Sequence, residues 1–410
     1  MTRPVDCCIA GGGPAGLMLG YLLARAECRV TVLEKHADFL RDFRGDTIHP
    51  STLEVMHDLG LLEEFLKLPH QRVEKLSGVF GDTTLHIADF TRLPVHARYI
   101  AMMPQWDFLN FLASEGCHYP GFDLKMKAEA TGLLVENGIV VGVTGKQDGT
   151  PFEVRAALTV AADGRGSVLR AKSGLATTDL GAPMDALWFR LPKEKADPED
   201  ILARVLPGRI IVMFNRGDYW QCAFVIPKGG NDAIRAAGLA AFEETLAKSA
   251  PFIAGRVTAI ASFDDVKLLA VQVNRLEKWW RPGFLCIGDA AHAMSPIGGV
   301  GVNLAVQDAV AAANILAAPL RAGRTGDAEL AAIERRRVWP TRMTQSMQLL
   351  MQNRVIAPIL GDTGTPLRPP ALVRWLTALP LTRRLIARLI GLGFRPEHVD
   401  PAILANSAPS

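Results

Sequence analysis

Short apolar runs and helical spacings alternate from the start of the chain. Residues 5 to 10 form an apolar run that reads as a buried strand, 14 to 26 as a helix, and 29 to 34 as a second strand. That succession is one βαβ unit, so the chain opens as an α/β fold. Residues 51 to 67 place Leu53, Met56 and Leu59 at helical spacing after His49-Pro50-Ser51, where a hydroxyl can cap. From about residue 72 the pattern turns to alternation, which predicts hairpin strands of another sheet; 105 to 115 return to helix, and 139 to 162 alternate again.

A second strand-rich block spans about 183 to 277, with strands expected at 209 to 214, 219 to 226 and 256 to 263 and a helical insertion near 232 to 249. Trp188, Phe189, Phe214, Tyr219, Trp220 and Phe224 give it a sheet-like composition. Residues 283 to 289 then read as one more buried parallel strand, leading through a Gly-rich loop to a helix over 302 to 318. The organisation predicted is a discontinuous first domain (1–71, 100–180 and 278–370), an inserted, mostly antiparallel sheet (72–99 and 181–277), and a C-terminal helical segment (371–410).

Composition narrows the function classes. The chain has 410 residues, 45 basic against 42 acidic side chains and a formal charge of only +3, which gives no electrostatic preference for nucleic acid. Its six cysteines make no C-x-x-C pair and several sit in apolar runs, which fits a reducing, cytoplasmic compartment and no metal centre. No signal peptide is expected, and the most apolar window, 304 to 318, is interrupted by Gln307, Asp308 and Asn314, so no spanning helix is expected either.

Three motifs carry chemistry. Gly11-Gly12-Gly13-Pro14-Ala15-Gly16 is a G-x-G-x-x-G between a strand and a helix, where glycines let the backbone approach a pyrophosphate at the positive helix N-terminus. Glu34, followed by Lys35, ends the next strand at the spacing from which a carboxylate accepts from ribose hydroxyls. The second motif, Asp163-Gly164-Arg165-Gly166-Ser167, again runs from a strand into a turn and a helix; as a plain turn it would use Ser167 near the helix start. The third begins at Gly288-Asp289 and continues through Pro296-Ile297-Gly298-Gly299-Val300-Gly301-Val302-Asn303. A carboxylate at a strand end, followed by a glycine loop and a helix, can hold a polyol and point amides at an anionic ring.

In this order, over about residues 5 to 320, the motifs resemble the single-component FAD-dependent aromatic hydroxylases related to para-hydroxybenzoate hydroxylase. The resemblance implies a Rossmann-like FAD-binding domain with an inserted substrate sheet and non-covalent FAD. Its adenylate part would lie on Gly11, Gly13, Pro14, Ala15, Gly16, Glu34 and Lys35. Asp163 would lie near the pyrophosphate and the nicotinamide, Asp289 at the ribityl chain, and Pro296, Gly299, Gly301, Val302 and Asn303 along the isoalloxazine. Arg44 matches an arginine that contacts FAD in many relatives, whereas Gln105 stands where many carry arginine. The implied activity is NAD(P)H- and O2-dependent hydroxylation of an electron-rich aromatic molecule through a flavin C4a-hydroperoxide. Alternatives are a reductase of an apolar substrate or a non-catalytic FAD-binding redox sensor; a halogenase is disfavoured because the segment ending Ile226-Pro227 lacks the second tryptophan of the halogenase signature.

Substrate contacts are expected from the inserted sheet, with Trp188, Arg190, Met213, Phe214, Trp220 and Gln221 as candidates and alternate members facing the flavin. His49, Tyr219 and Pro296 are weak candidates for catalysis, as is His292 for a base. The charge run Glu334-Arg335-Arg336-Arg337 reads as a solvated helix face. Residues 371 to 393 read as a basic amphipathic helix that docks on the first domain or lies peripherally on a membrane.

Overall fold

The structure, a computed structural model, describes residues 4–40, 47–198, 202–361, 369 and 371–405. Strand β1 (Val5–Ala10) leads through the glycine turn into α1 (Pro14–Arg25), which starts with proline at its first position and buries nearly its whole length. β2 (Val30–Leu33), α2 (Pro50–Asp58), α3 (Gln105–Cys117), β3 (Phe122–Lys125) and β4 (Thr150–Ala161) follow. Parallel pairing sets the order Phe284–Cys286, β4, β1, β2, β3, so β1 is central and the chain returns to this sheet after a long excursion. Two expectations change here. The helix expected over 51–67 breaks at Gly60, whose φ of +74° ends the helical run, and a short helix resumes at Leu62–Phe65. The strand Ala128–Glu136, which pairs with Ile139–Gln147, went unread.

The second sheet is built on β5 (Met184–Pro192), β6 (Arg209–Asn215) and β7 (Tyr219–Pro227), with β7 between the other two in antiparallel register. Leu202–Leu206 joins it to the hairpin Lys75–Phe80 and Thr83–Asp89. One face carries Phe189, Met213 and Cys222 and packs on α4 (Leu239–Ser249) and a 3-10 helix at Pro251–Ala259. That 3-10 helix replaces the strand expected at 256–263: Ile253, Val257 and Ile260 recur every three or four residues, a helical spacing.

The longest helices of the remaining described chain are α5 (Gly301–Arg321), α6 (Asp327–Met351) and α7 (Pro380–Gly391). The segment Ile297–Arg321 is long and apolar enough to cross a membrane, but 83% of its apolar window is buried in the core, packed on α1. The C-terminal basic stretch is two helices, Ala371–Ala378 and α7, divided at Pro380. Ala387, Ile386 and Ile390 of α7 pack on Ala88, Phe90 and Leu93 beside the second sheet, while Leu381 and Leu385 face outward. The charge run on α6 is solvated only in part: Arg335 is exposed, but Arg337 turns inward. Arg337 is 1% exposed, with Asp308 Oδ1 2.8 Å from its Nε and Glu397 Oε1 3.2 Å from its Nη1, partners that sequence proximity does not reveal.

Candidate active site

The three motifs meet at the ends of neighbouring parallel strands. Gly11 has a φ of +109°, and a Cβ there would lie 2.3 Å from the Ala162 carbonyl oxygen, so the first turn closes directly on the start of the second motif. A Cβ on Gly288 would lie 3.1 Å from Ala15 Cβ and 3.4 Å from Ala305 Cβ, which brings the third motif against the opening turns of both α1 and α5. Neither helix has a side-chain cap at its N-terminus. Two uncapped N-termini beside one junction favour negative charge there.

Side chains around the junction are held by short bonds. Glu34, 7% exposed, accepts from Gly12 N at 3.0 Å and His36 N at 2.9 Å, which sets its carboxylate against the glycine turn; Lys35 beside it is exposed. Asp163 accepts from Ser167 Oγ at 2.5 Å and Val168 N at 2.9 Å and so holds the start of the helix Val168–Ser173, with Ser167 as N-cap. Burial pushes the Asp163 carboxyl above its ordinary range despite those bonds. Asp289 is partly exposed and takes a hydrogen bond from Arg165 Nε at 2.9 Å, and Arg170 Nη1 donates to Ala290 O at 3.0 Å. These two arginines of the second motif grip the Gly288-Asp289 turn; sequence reading missed both, although their fixed places in Asp-Gly-Arg-Gly-Ser-x-x-Arg were a usable signal.

Beyond Pro296 the loop turns through Gly298 and Gly299, at φ of +79° and +64°, before α5 begins. Thr47 Oγ1 donates to Gly299 O at 3.0 Å and Thr52 Oγ1 to Asn303 Oδ1 at 2.5 Å, so α2 and the strand before it fix the loop; Val302 is also buried. His49 is fully buried, not in solvent, and its Nδ1 donates to Ile390 O at 2.9 Å. Burial lowers its pKa to about 4, so the ring is neutral at physiological pH and is not a cationic acid. His292 lies 2.6 Å through Nε2 from Asp308 Oδ2, inside the buried Arg337 network, which makes it a structural residue. Gln105 opens α3, partly buried; Arg44 lies outside the described residues.

The second sheet divides the expected substrate contacts by parity. Arg190, Gln221 and Phe214 share one register row and Trp188 lies two residues along, so these four lie on the face opposite α4. Trp188 and Phe214 stack with ring centroids 5.9 Å apart and planes at 7°. Val212 and Val225 of that face pack against the same buried apolar cluster as Ile297, which brings the face and the loop beyond Pro296 to one cluster. Met213 and Trp220 are a correction: both are fully buried on the other face, where Trp220 Nε1 donates to Asp197 Oδ2 at 2.8 Å. Tyr219, at the end of β7, stacks under the Arg190 guanidinium at 5.1 Å, and Gln221 accepts from Arg216 Nε. A cavity of about 420 Å³ opens beside Gln71, Asn215, Gly217 and Lys193 at this end of the sheet. Among the described residues Glu54, His57 and His96 group closely enough to suggest a metal. The two imidazoles nevertheless stack 3.4 Å apart with planes at 11°, so their in-plane lone pairs run side by side and do not converge.

Residues 4–346 match the family model described as an FAD binding domain. The chain is 32% identical over 409 residues to 6-methylpretetramide 4-monooxygenase of Streptomyces rimosus, covering 99% of this chain and 96% of that protein. It is 30% identical over 342 residues to digeranylgeranylglycerophospholipid reductase of Methanocella arvoryzae, covering 79% of this chain and 80% of that one. Several longer monooxygenases also match, the chain spanning 61 or 62% of their length. Among solved structures, OxyS anhydrotetracycline hydroxylase from Streptomyces rimosus superposes with a TM-score of 0.75 at 23% identity, over 96% of this chain and 77% of that one, which shows a shared fold. With a glycine turn, a gripped Gly-Asp turn and an uncapped α5 all suited to FAD, the chain belongs to the FAD-binding family of flavin-dependent aromatic monooxygenases, enzymes for which NAD(P)H is the typical reductant.

Proposed function

We propose that this monooxygenase hydroxylates a flat, fused-ring aromatic substrate of polyketide type, in the cytoplasm. The observation that carries the reading is the Trp188–Phe214 pair, two parallel rings on the sheet face that shares an apolar cluster with the loop beyond Pro296. An extended ring system gains stacking and apolar burial on such a shelf, at about 0.5–1.5 kcal/mol per aromatic pair beyond area alone. The relative named for 6-methylpretetramide supports the same substrate class.

FAD, when bound, supplies the acceptor for NAD(P)H electrons and the centre at which O2 is activated. The chain supplies position and environment. Gly11 to Gly16 and Glu34 would hold the adenylate end, Asp289 the ribityl hydroxyls, and the amides at the start of α5 the anionic edge of the reduced ring. Asp163 holds the turn that carries Arg165 and the start of the helix that carries Arg170. His49, neutral and buried, seats the loop against α7. The sheet face and α7, which share an apolar cluster at Phe214, Ile386 and Ile390, would exclude water from a substrate held there.

Reduction of an apolar lipid-like substrate draws support from the archaeal reductase, but that relative covers less of the chain than the monooxygenase does. Leu381 and Leu385, with exposed Arg384 and Arg388, are the α7 residues on which a peripheral membrane contact would rest. Oxygen uptake that matches NAD(P)H oxidation, followed across a panel of fused-ring phenols, tests the proposal; NAD(P)H oxidation without oxygen uptake favours the reductase.

A further inference from the structure

A row of glutamines that runs from α6 into the π-helical turn after it grips the chain around the start of the loop at Pro296. Gln345, Gln348 and Gln352 succeed one another at intervals of three and four, so they share one helix face, and all three are 1% exposed or less. Burying three uncharged amides is costly unless their polar atoms are matched; the matches are mostly backbone, and of the three side chains only Gln352 leaves an atom, Oε1, without one among the described residues. Gln345 Nε2 donates to Ala293 O at 3.1 Å and Asn274 O at 2.9 Å. Gln348 Nε2 donates to Ser295 O at 3.0 Å and Ile297 O at 2.9 Å, while its Oε1 accepts from Ser295 N at 3.2 Å. Gln352 Nε2 donates to Ser295 Oγ at 2.8 Å, and that oxygen also accepts from Ile297 N at 3.3 Å.

Ser295 is therefore held at its N–H, its carbonyl and its hydroxyl by two side chains of one helix. Only an amide of this length offers both the donors and the acceptor Gln348 uses; glutamate keeps the acceptor and loses both donors, and methionine keeps only the shape. Gln352 also begins a π-helical turn, Gln352–Ile356, whose Val355 and Ile356 pack in the same apolar cluster as Ile297. At the other end of the loop, Thr47 bonds Gly299 and Thr52 bonds Asn303. The loop is thus pinned at Ile297 from one side and at Gly299 from the other, with the left-handed Gly298 as the link between the two anchors.

We infer that the Gln345, Gln348 and Gln352 row is a positioning device, which fixes where the amides at the start of α5 stand and so sets how much better the site holds reduced than oxidised FAD. This rests on the FAD reading above. The glutamines act through the loop, and each bond they lose lets the amides drift from the charge that appears on reduction.

The test compares wild type, Gln348→Met, Ser295→Ala and, as a control of equal burial on the same helix, Leu330→Ala, in full-length protein loaded with FAD. Dye-linked equilibration measures the reduction potential, and hydrogen exchange measures protection of residues 293–303. For Gln348→Met, loss of its three bonds to Ser295 and Ile297 lowers the preference for reduced over oxidised FAD roughly tenfold. Exchange in the loop rises, and hydrogen peroxide accounts for more of the NAD(P)H consumed. Ser295→Ala shows a smaller change in the same direction and serves alone if Gln348→Met does not fold. Leu330→Ala lowers Tm but leaves the potential unchanged. A potential and loop exchange in both loop variants equal to wild type, or an equal shift in Leu330→Ala, overturns the inference. Wild-type protein that binds no FAD overturns the underlying reading instead.

Discussion

Arg165 Nε donates to Asp289 Oδ2 across 2.9 Å, joining two strand-end turns that lie 124 positions apart in sequence. Both side chains are about 30% exposed, so the pair stands at the rim of the junction where a ligand can reach the carboxylate. The acidic group that would meet the ribityl hydroxyls is thereby oriented before any ligand arrives, which reduces the ordering cost of binding.

Replacing Asp289 by alanine should leave a folded protein that retains little flavin. Loss of hydrogen bonds to a charged acceptor predicts FAD affinity weaker by about 10- to 100-fold. Thermal unfolding and the absorbance of the purified protein check both halves of this outcome; full flavin occupancy in the variant removes Asp289 from the site.

Trp188→Ala removes half of the aromatic shelf. We expect KM for a fused-ring substrate to rise about three- to tenfold with FAD affinity unchanged, the range that one stacked pair is worth. Steady-state kinetics separate the two, and an unchanged KM places the substrate elsewhere.

His49 gives the fold an acid-side dependence. Its folded pKa, lowered by burial from 6.5 to about 4, means that between these values the unfolded chain binds a proton that the folded chain does not. Stability is therefore present above the unfolded pKa and declines as pH falls from 6.5 toward 4, by up to about 3 kcal/mol from this group. Denaturant melts at several pH values should show the decline in wild type and a shallower slope in His49→Gln; parallel curves would mean that the imidazole is not the source.

Arg337→Met tests the buried network beneath the third motif. Burial alone would raise the Asp308 pKa, but His292 and Arg337 outweigh it and hold the carboxyl below its ordinary range. With Arg337 gone, Asp308 and Glu397 lose a buried partner, and about 3–5 kcal/mol of stability should go with it. Calorimetry reads this as a large fall in Tm, whereas a change of a degree or two would show that the network relaxes.

The glycine turn was legible because its residues answer to the backbone itself: Gly11 needs its positive φ and its missing Cβ, and nothing distant can supply either. β1 and α1 follow from the same local constraints and begin where their spacing predicts. Whatever depends on a distant partner was not legible. Arg337 reads as one more cation in a surface run until Asp308 and Glu397 stand beside it, and Gln348 is an ordinary helix residue until Ser295 does. The division of Met213 from Phe214 needed the register of β6 against β7, because parity fixes that neighbours face opposite ways but not which way is inward. At Pro251–Ala259 the error was of period, since β-branched residues invited a strand where their spacing is helical.

The most direct measurement supplies purified, FAD-loaded protein with NAD(P)H, a fused-ring phenol and isotopically labelled O2, and reads the product by mass spectrometry. The account predicts a hydroxylated product that carries one labelled oxygen atom, formed in step with NAD(P)H oxidation. A product whose added oxygen comes from water, or turnover that yields a saturated product without using O2, would contradict it.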